Sequence, residues 1–283
     1  MDLIHYRLPA RARGVHPGAH ASTQIGGGFE FRGHVGLSRA QDPRRIDIRA
    51  SLANPGGELL VRNFNQRASI TVAIIADLSA SMGAPEPDGK MKMLAEFTRD
   101  LGFSAGRVGD RFGFIGCAER ALPEFLLPPA QHGRAFHALS IRLGAYVPNG
   151  HDGAGLIEAC RYLGTTPGLV FLVSDFMIPD PLFDATLASL QRHYVVPVLL
   201  ATQAEVDGPA GFGFLRVRDA ESAFDRVLWL RPALRARIRD AHAAHRERFR
   251  QRCRQFGLRP LILLGDYHAD RVTRHFVASD LTP

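Results

Sequence analysis

One stretch limits what this chain can fold into: Ile70-Thr71-Val72-Ala73-Ile74-Ile75-Ala76-Asp77-Leu78-Ser79-Ala80-Ser81-Met82-Gly83. Its first half is apolar and β-branched at odd and even positions alike. A strand with one wet face would alternate, so this pattern predicts a strand buried on both faces, as in a parallel sheet between helices. The strand delivers Asp77, Ser79 and Ser81 to the turn beyond its carboxyl end, where open α/β sheets bind ligands. A carboxylate and two hydroxyls at alternating positions form a set of hard oxygen donors. Such donors suit Mg²⁺ or Mn²⁺. The plainer alternative is that the serines cap the following helix while Asp77 fixes the turn.

The rest of the chain repeats the theme. Leu169 to Val173 is a second wholly apolar run and ends in Ser174-Asp175. Tyr194 to Ala201 is a third, and Pro260 to Leu264 a fourth. Helices are predicted over Lys90–Val108, 133–143, 154–163, 181–192, 232–256 and 269–277, and Glu124 to Leu127 as an antiparallel edge. The helix opened by Pro232 is rich in arginine and carries a stripe of Leu234, Ile238, Ala241, His245, Phe249, Cys253 and Phe256. Arg216–Arg218 and Val227–Leu230 read as short strands. Before residue 68 there is no helical period. Glycines and prolines cut that segment into short extended pieces, with Ile46–Ile48 and Leu59–Phe64 as strands. The expected organisation is therefore a β appendage over 1–67, packed on a domain over 68–283. That domain is α/β: a doubly wound, largely parallel sheet flanked by helices.

Charge and cysteine usage narrow the function. The net charge is +7, and of 35 basic residues only Lys90 and Lys92 are lysines. An arginine-rich surface suits acidic partners, but no reader motif or aromatic interleaving points to a specific nucleic acid. The segment Met1 to Pro9 has no signal-peptide core, and no apolar run reaches the length of a membrane span. Cys117, Cys160 and Cys253 follow no ligand spacing and read as buried thiols, so a cytoplasmic location is expected.

Asp77-Leu78-Ser79-Ala80-Ser81, with Asp175 at a later strand end, resembles the metal-ion-dependent adhesion site of von Willebrand factor A-type domains. The resemblance implies that the serines bind the metal directly, that the Asp residues act mostly through water, and that the open position takes a partner's carboxylate. Phe29-Glu30-Phe31, Asp42-Pro43-Arg44-Arg45-Ile46-Asp47 and Leu60-Val61-Arg62-Asn63-Phe64 are similar to the bacterial A-domain proteins encoded beside MoxR-type AAA+ ATPases. The run from Asp47 to Leu52 is similar to their MxaS-like branch in methanol-oxidation gene clusters. This resemblance implies a non-catalytic interaction module that works with such an ATPase to mature, or insert metal into, a client enzyme such as methanol dehydrogenase.

One loop departs from the family pattern. Asn149-Gly150-His151-Asp152-Gly153 places His151 where the family has a metal-binding Thr. Imidazole is a poor Mg²⁺ ligand and a good one for Zn²⁺ or Ni²⁺. Three outcomes stay open: Asp152 supplies the missing oxygen, His151 changes the metal preference, or the site no longer holds metal tightly. The alternative function is a haloacid-dehalogenase-like, Mg²⁺-dependent phosphohydrolase with Asp77 as nucleophile and Asp175 and Asp180 as a later acidic pair. Its general acid would fall at Ser79, whose hydroxyl is unsuited to that task near neutral pH. His242 and His245 lie one turn apart without a ligand pattern, so one is expected to face solvent and the other to pack.

Overall fold

The computed structural model describes residues 2–8, 17–40, 42–84, 89–131, 133–150, 153–208, 213–218 and 225–278. The chain forms two compact units, Leu8–Ile70 and Met1–Arg7 together with Thr71–Pro283.

In the first unit, β1 (Pro17–Gly36) pairs antiparallel with β2 (Leu60–Ala68) through several register shifts. One long bulged strand thus replaces the short extended pieces expected there, because each bulge absorbs an extra residue without ending the ladder. The strand predicted at Ile46–Ile48 is instead the start of a helical turn, α1 (Ile48–Leu52). Asp47 decides this locally. Its carboxylate accepts from the Ala50 N–H at 3.1 Å as an N-cap, and it also binds Arg62 at 2.7 Å. Ile46 keeps a single antiparallel bridge to Val61.

The second unit is built on six strands: β3 (Thr71–Asp77), β4 (Arg111–Cys117), β5 (Ala121–Ala130), β6 (Leu169–Ser174), β7 (Tyr194–Ala201) and, last in the chain, Leu261–Leu264. The helices are α2 (Gly89–Val108), α3 (Ala135–Ala145), α4 (Gly155–Cys160), α5 (Asp180–Ser189), α6 (Gln203–Asp207), α7 (Pro232–Gln255) and α8 (Ala269–Val277). A two-stranded ribbon, β8 (Gly213–Arg218) with β9 (Asp225–Leu230), precedes α7, so the final sheet strand is β10. The sheet order is β5-β4-β3-β6-β7-β10, antiparallel only at the β5 edge. Counted along the sheet's own strands this is 3-2-1-4-5-6, the doubly wound order. It is the doubly wound, largely parallel α/β class that the sequence predicts.

The apolar runs explain the layering. Along β3 and β6, Ala73, Ile75, Val170 and Leu172 share a buried cluster with Leu156 of α4, Phe183 of α5 and Phe249 and Cys253 of α7. On the opposite face Phe171 meets Phe97 of α2 and Phe276 of α8 edge-on. The first residues also join this unit: Ile4 donates its N–H to Ser104 Oγ at 2.8 Å, and the Tyr6 hydroxyl donates to Asp110 at 2.7 Å.

α7 departs from its predicted stripe. Phe249 and Cys253 are buried, but Leu234 and Ile238 are half-buried and Ala241 and Phe256 exposed. The buried pair rests on the sheet cluster. Nearer its start the helix runs beside short α6, where Gly208 meets Arg235. Five residues give too little surface to cover a long apolar stripe.

Candidate metal centre

β3 and β6 are the strands between which the sheet order reverses. The crevice outside their carboxyl ends is where such folds bind ligands. Both ends carry the predicted acids. Asp77 ends β3, and Asp175 follows β6. Both are buried.

The turn after β3 is a 3-10 turn, Ala80–Gly83, with Ser79 in the N-cap position, yet Ser79 makes no side-chain capping bond. Its hydroxyl lies 3.3 Å from that of Ser81. Ser81 in turn donates to Asp175 Oδ1 at 3.2 Å. Asp77 does fix the turn, accepting the Ser79 N–H on Oδ1 at 2.9 Å, and its Oδ2 accepts from Ser174 Oγ at 2.8 Å. The predicted set Asp77, Ser79, Ser81 and Asp175 is thus brought to one place. The middle loop reaches it too. The Ala80 N–H donates to Gly150 O at 2.8 Å, and a Cβ on Gly153 would stand 3.5 Å from Asp77 Oδ2. His151 and Asp152 lie outside the described residues.

Sequence reasoning missed two members of the cluster. Lys90, in the first turn of α2, is 1% exposed; its ammonium donates to Asp175 Oδ2 at 2.8 Å and to Glu205 Oε1 at 3.0 Å. Glu205 is held by a capping box at the end of β7. The Thr202 hydroxyl accepts the Glu205 N–H, and the Glu205 carboxylate accepts the Thr202 N–H. The Thr-x-x-Glu spacing was a legible signal for that box. Nothing local signals that Lys90 faces Asp175. His245 of α7 closes the cluster from above, with Nε2 donating to the Asp175 carbonyl at 2.9 Å. Neither His242 nor His245 faces open solvent, contrary to expectation; both are half-buried.

Electrostatics follow from this packing. Burial, then the charge of Asp175, pushes the Asp77 carboxyl up to about 6, against the pull of the Ser79 and Ser174 hydrogen bonds. Burial alone would lower the Lys90 ammonium, but Asp175 and Glu205 outweigh it and hold it above its ordinary value. Three carboxylates against one ammonium leave two negative charges in excess when all are ionised. The donor set fits a small divalent ion. Adjacent ligands of octahedral Mg²⁺ stand about 3 Å apart, close to the 3.3 and 3.2 Å separations of Ser79, Ser81 and Asp175. Asp180, the second acid of the phosphohydrolase alternative, is turned toward Arg252 at 3.3 Å.

Beside the cluster runs a groove lined by Phe176, Met177, Ile178, His245, Arg248 and Phe249. Phe176 has φ of 53°, a left-handed conformation that costs a bulky residue energy. Its N–H bond to Ser174 Oγ and its stacking on Phe249, with centroids 4.4 Å apart, hold it there.

The family described as "Protein of unknown function DUF58" matches residues 41–248. The uncharacterized protein Rv1480 of Mycobacterium tuberculosis is 28% identical over 281 residues, covering 94% of this chain and 84% of its own length. Among solved structures, the conserved hypothetical protein BatB from Bacteroides thetaiotaomicron aligns over 76% of this chain and 100% of its own, with 15% identity and a TM-score of 0.44. A von Willebrand factor type A structure from Catenulispora acidiphila aligns over 77% of this chain and 43% of its own, with 13% identity and a TM-score of 0.37.

Proposed function

The chain belongs to the DUF58 family, and from that premise we propose that it is a non-catalytic interaction module whose metal seat grips a carboxylate on a partner protein. Asp77, Ser79, Ser81 and Asp175 would hold Mg²⁺ or Mn²⁺. When bound, the ion offers a coordination position to the partner's acidic side chain. The observation that carries this reading is the Ser81 to Asp175 contact, which joins two strand ends 94 residues apart. The hydroxyls, the two acids and the excess negative charge all suit a hard cation.

Sequence resemblance supplies the partner in this proposal. The ATPase is a MoxR-type AAA+ protein, which provides the energy, and the client is an enzyme undergoing maturation or metal insertion; in the MxaS-like branch that client is methanol dehydrogenase. The groove beside the seat and the arginines of α7 give an acidic partner a surface to meet. The three cysteines are free and buried, as suits a reducing compartment, and we take the cytoplasm as the place of action. No helix among the described residues is long and apolar enough to cross a membrane.

Titration calorimetry with Mg²⁺ and Mn²⁺ tests the seat. The wild type should bind, and Ser81→Ala should weaken binding at least tenfold, since it removes the hydroxyl that links both strand ends. Equal binding by the two proteins would put the ion elsewhere. Phosphoester turnover that disappears in Asp77→Asn would replace this reading with the hydrolase.

A further inference from the structure

We propose that Lys90 is the residue that decides which divalent ion this seat accepts, by pinning one oxygen of Asp175 so that the carboxylate cannot chelate through both. The inference rests on the metal-binding reading given above and deepens it.

Mg²⁺ and Mn²⁺ accept six ligands near the corners of an octahedron, and a carboxylate fills one corner through a single oxygen. Ca²⁺ takes six to eight oxygens in a looser shell and readily uses a carboxylate through both. At this seat Asp175 divides its two oxygens. Oδ1 faces Ser81 and accepts the Met177 N–H at 3.1 Å, while Oδ2 lies 2.8 Å from the Lys90 ammonium. An ion chelated by both oxygens would have to stand level with Oδ2, against a fixed positive charge. An ion bound through Oδ1 alone, directly or by way of water, keeps its distance from that charge. Asp77 is no substitute chelator, because Ser79 N–H and Ser174 Oγ engage its oxygens separately.

Lys90 cannot swing away cheaply. It is buried, and its second bond runs to Glu205, itself fixed by the capping box with Thr202. Lysine fits the task better than the arginine that dominates this chain, because an ammonium is a compact charge that one carboxylate oxygen can saturate. Lys90 is therefore a positioning residue: it acts on the ion through Asp175.

The test uses the full chain and three ions, Mg²⁺, Mn²⁺ and Ca²⁺, titrated by calorimetry into the wild type and into the double variant Lys90→Met/Glu205→Gln. The double change removes one positive and one negative charge, so the excess charge at the seat is unaltered. In the wild type, Ca²⁺ should bind at least tenfold more weakly than Mn²⁺. In the double variant the ratio of Ca²⁺ to Mn²⁺ affinity should rise tenfold or more. A purely structural role for Lys90 would weaken or spare all three ions together. An unchanged ratio with metal still bound thus overturns the proposal and leaves the metal-dependent function standing. A wild type that prefers Ca²⁺ overturns it too, and that measurement serves even where the double variant fails to fold. A wild type that binds none of the three ions brings down both readings.

Discussion

Asp77 is kept ionised near neutral pH at a cost to the fold. Its carboxyl is raised from 3.8 to about 6, so the folded chain holds this proton more tightly than the unfolded chain does. The contribution to stability is then complete below the unfolded value and disappears as pH climbs through about 6. In metal-free buffer Asp77→Asn should raise the thermal midpoint at pH 8, and raise it by a clearly smaller amount at pH 5, where the folded carboxyl is still mostly protonated. Paired melting curves at the two pH values check this, and a lower midpoint at pH 8 would mean that the carboxylate is stabilising as it stands. Four residues of the candidate site were legible because their chemistry is local: the Asp-x-Ser-x-Ser spacing sits on a strand end, and Asp175 ends another buried run. Lys90 was illegible because its partners lie 85 and 115 residues away. A buried lysine leaves no mark on its neighbours in sequence.

Elements were readable in proportion to how far their own residues decide them. β3, β6 and β7 are nearly continuous apolar runs and fall where the sequence puts them. α2 forms over the predicted range and buries Met91, Leu94, Ala95, Thr98 and Leu101, which recur at three and four. The misreadings came where one side chain or one neighbour outweighed a pattern. Asp47 turned a β-branched pair into a helix start, and α7 lies beside too small a neighbour for its full stripe to be covered. What fixes α7 is a short anchor: Phe249 stacks on Phe176 and meets Phe183 edge-on, and Cys253 is buried beside them. Phe249→Ala should therefore cost about 3–5 kcal/mol, as expected for emptying an aromatic site in a core. It also removes the support of the strained Phe176 beside Asp175. Urea denaturation gives the stability loss, and a loss under about 1 kcal/mol would show that α7 is held by other contacts.

At the scale of the whole molecule, the chain contributes its first seven residues to the sheet unit, leaves to form the unit over 8–70, and returns at Thr71. A chain that starts at Ala68 loses Ile4 and the Tyr6 to Asp110 bond along with everything between. A chain in which 8–70 is replaced by a flexible Gly/Ser linker keeps both. The second should melt at the higher temperature, by several degrees, and in one transition; identical melting of the two would mean that the first residues add nothing. The same path has a mechanical side. The segment over 8–70 is an insertion, joined by the chain at both of its ends to the unit that holds the sheet. A pull on the amino terminus would first load the short Ile4–Tyr6 anchor and not the β1–β2 ladder. A label beside Ile4 reports on the unit that holds the sheet, and the inserted unit is reached only by a label placed within it.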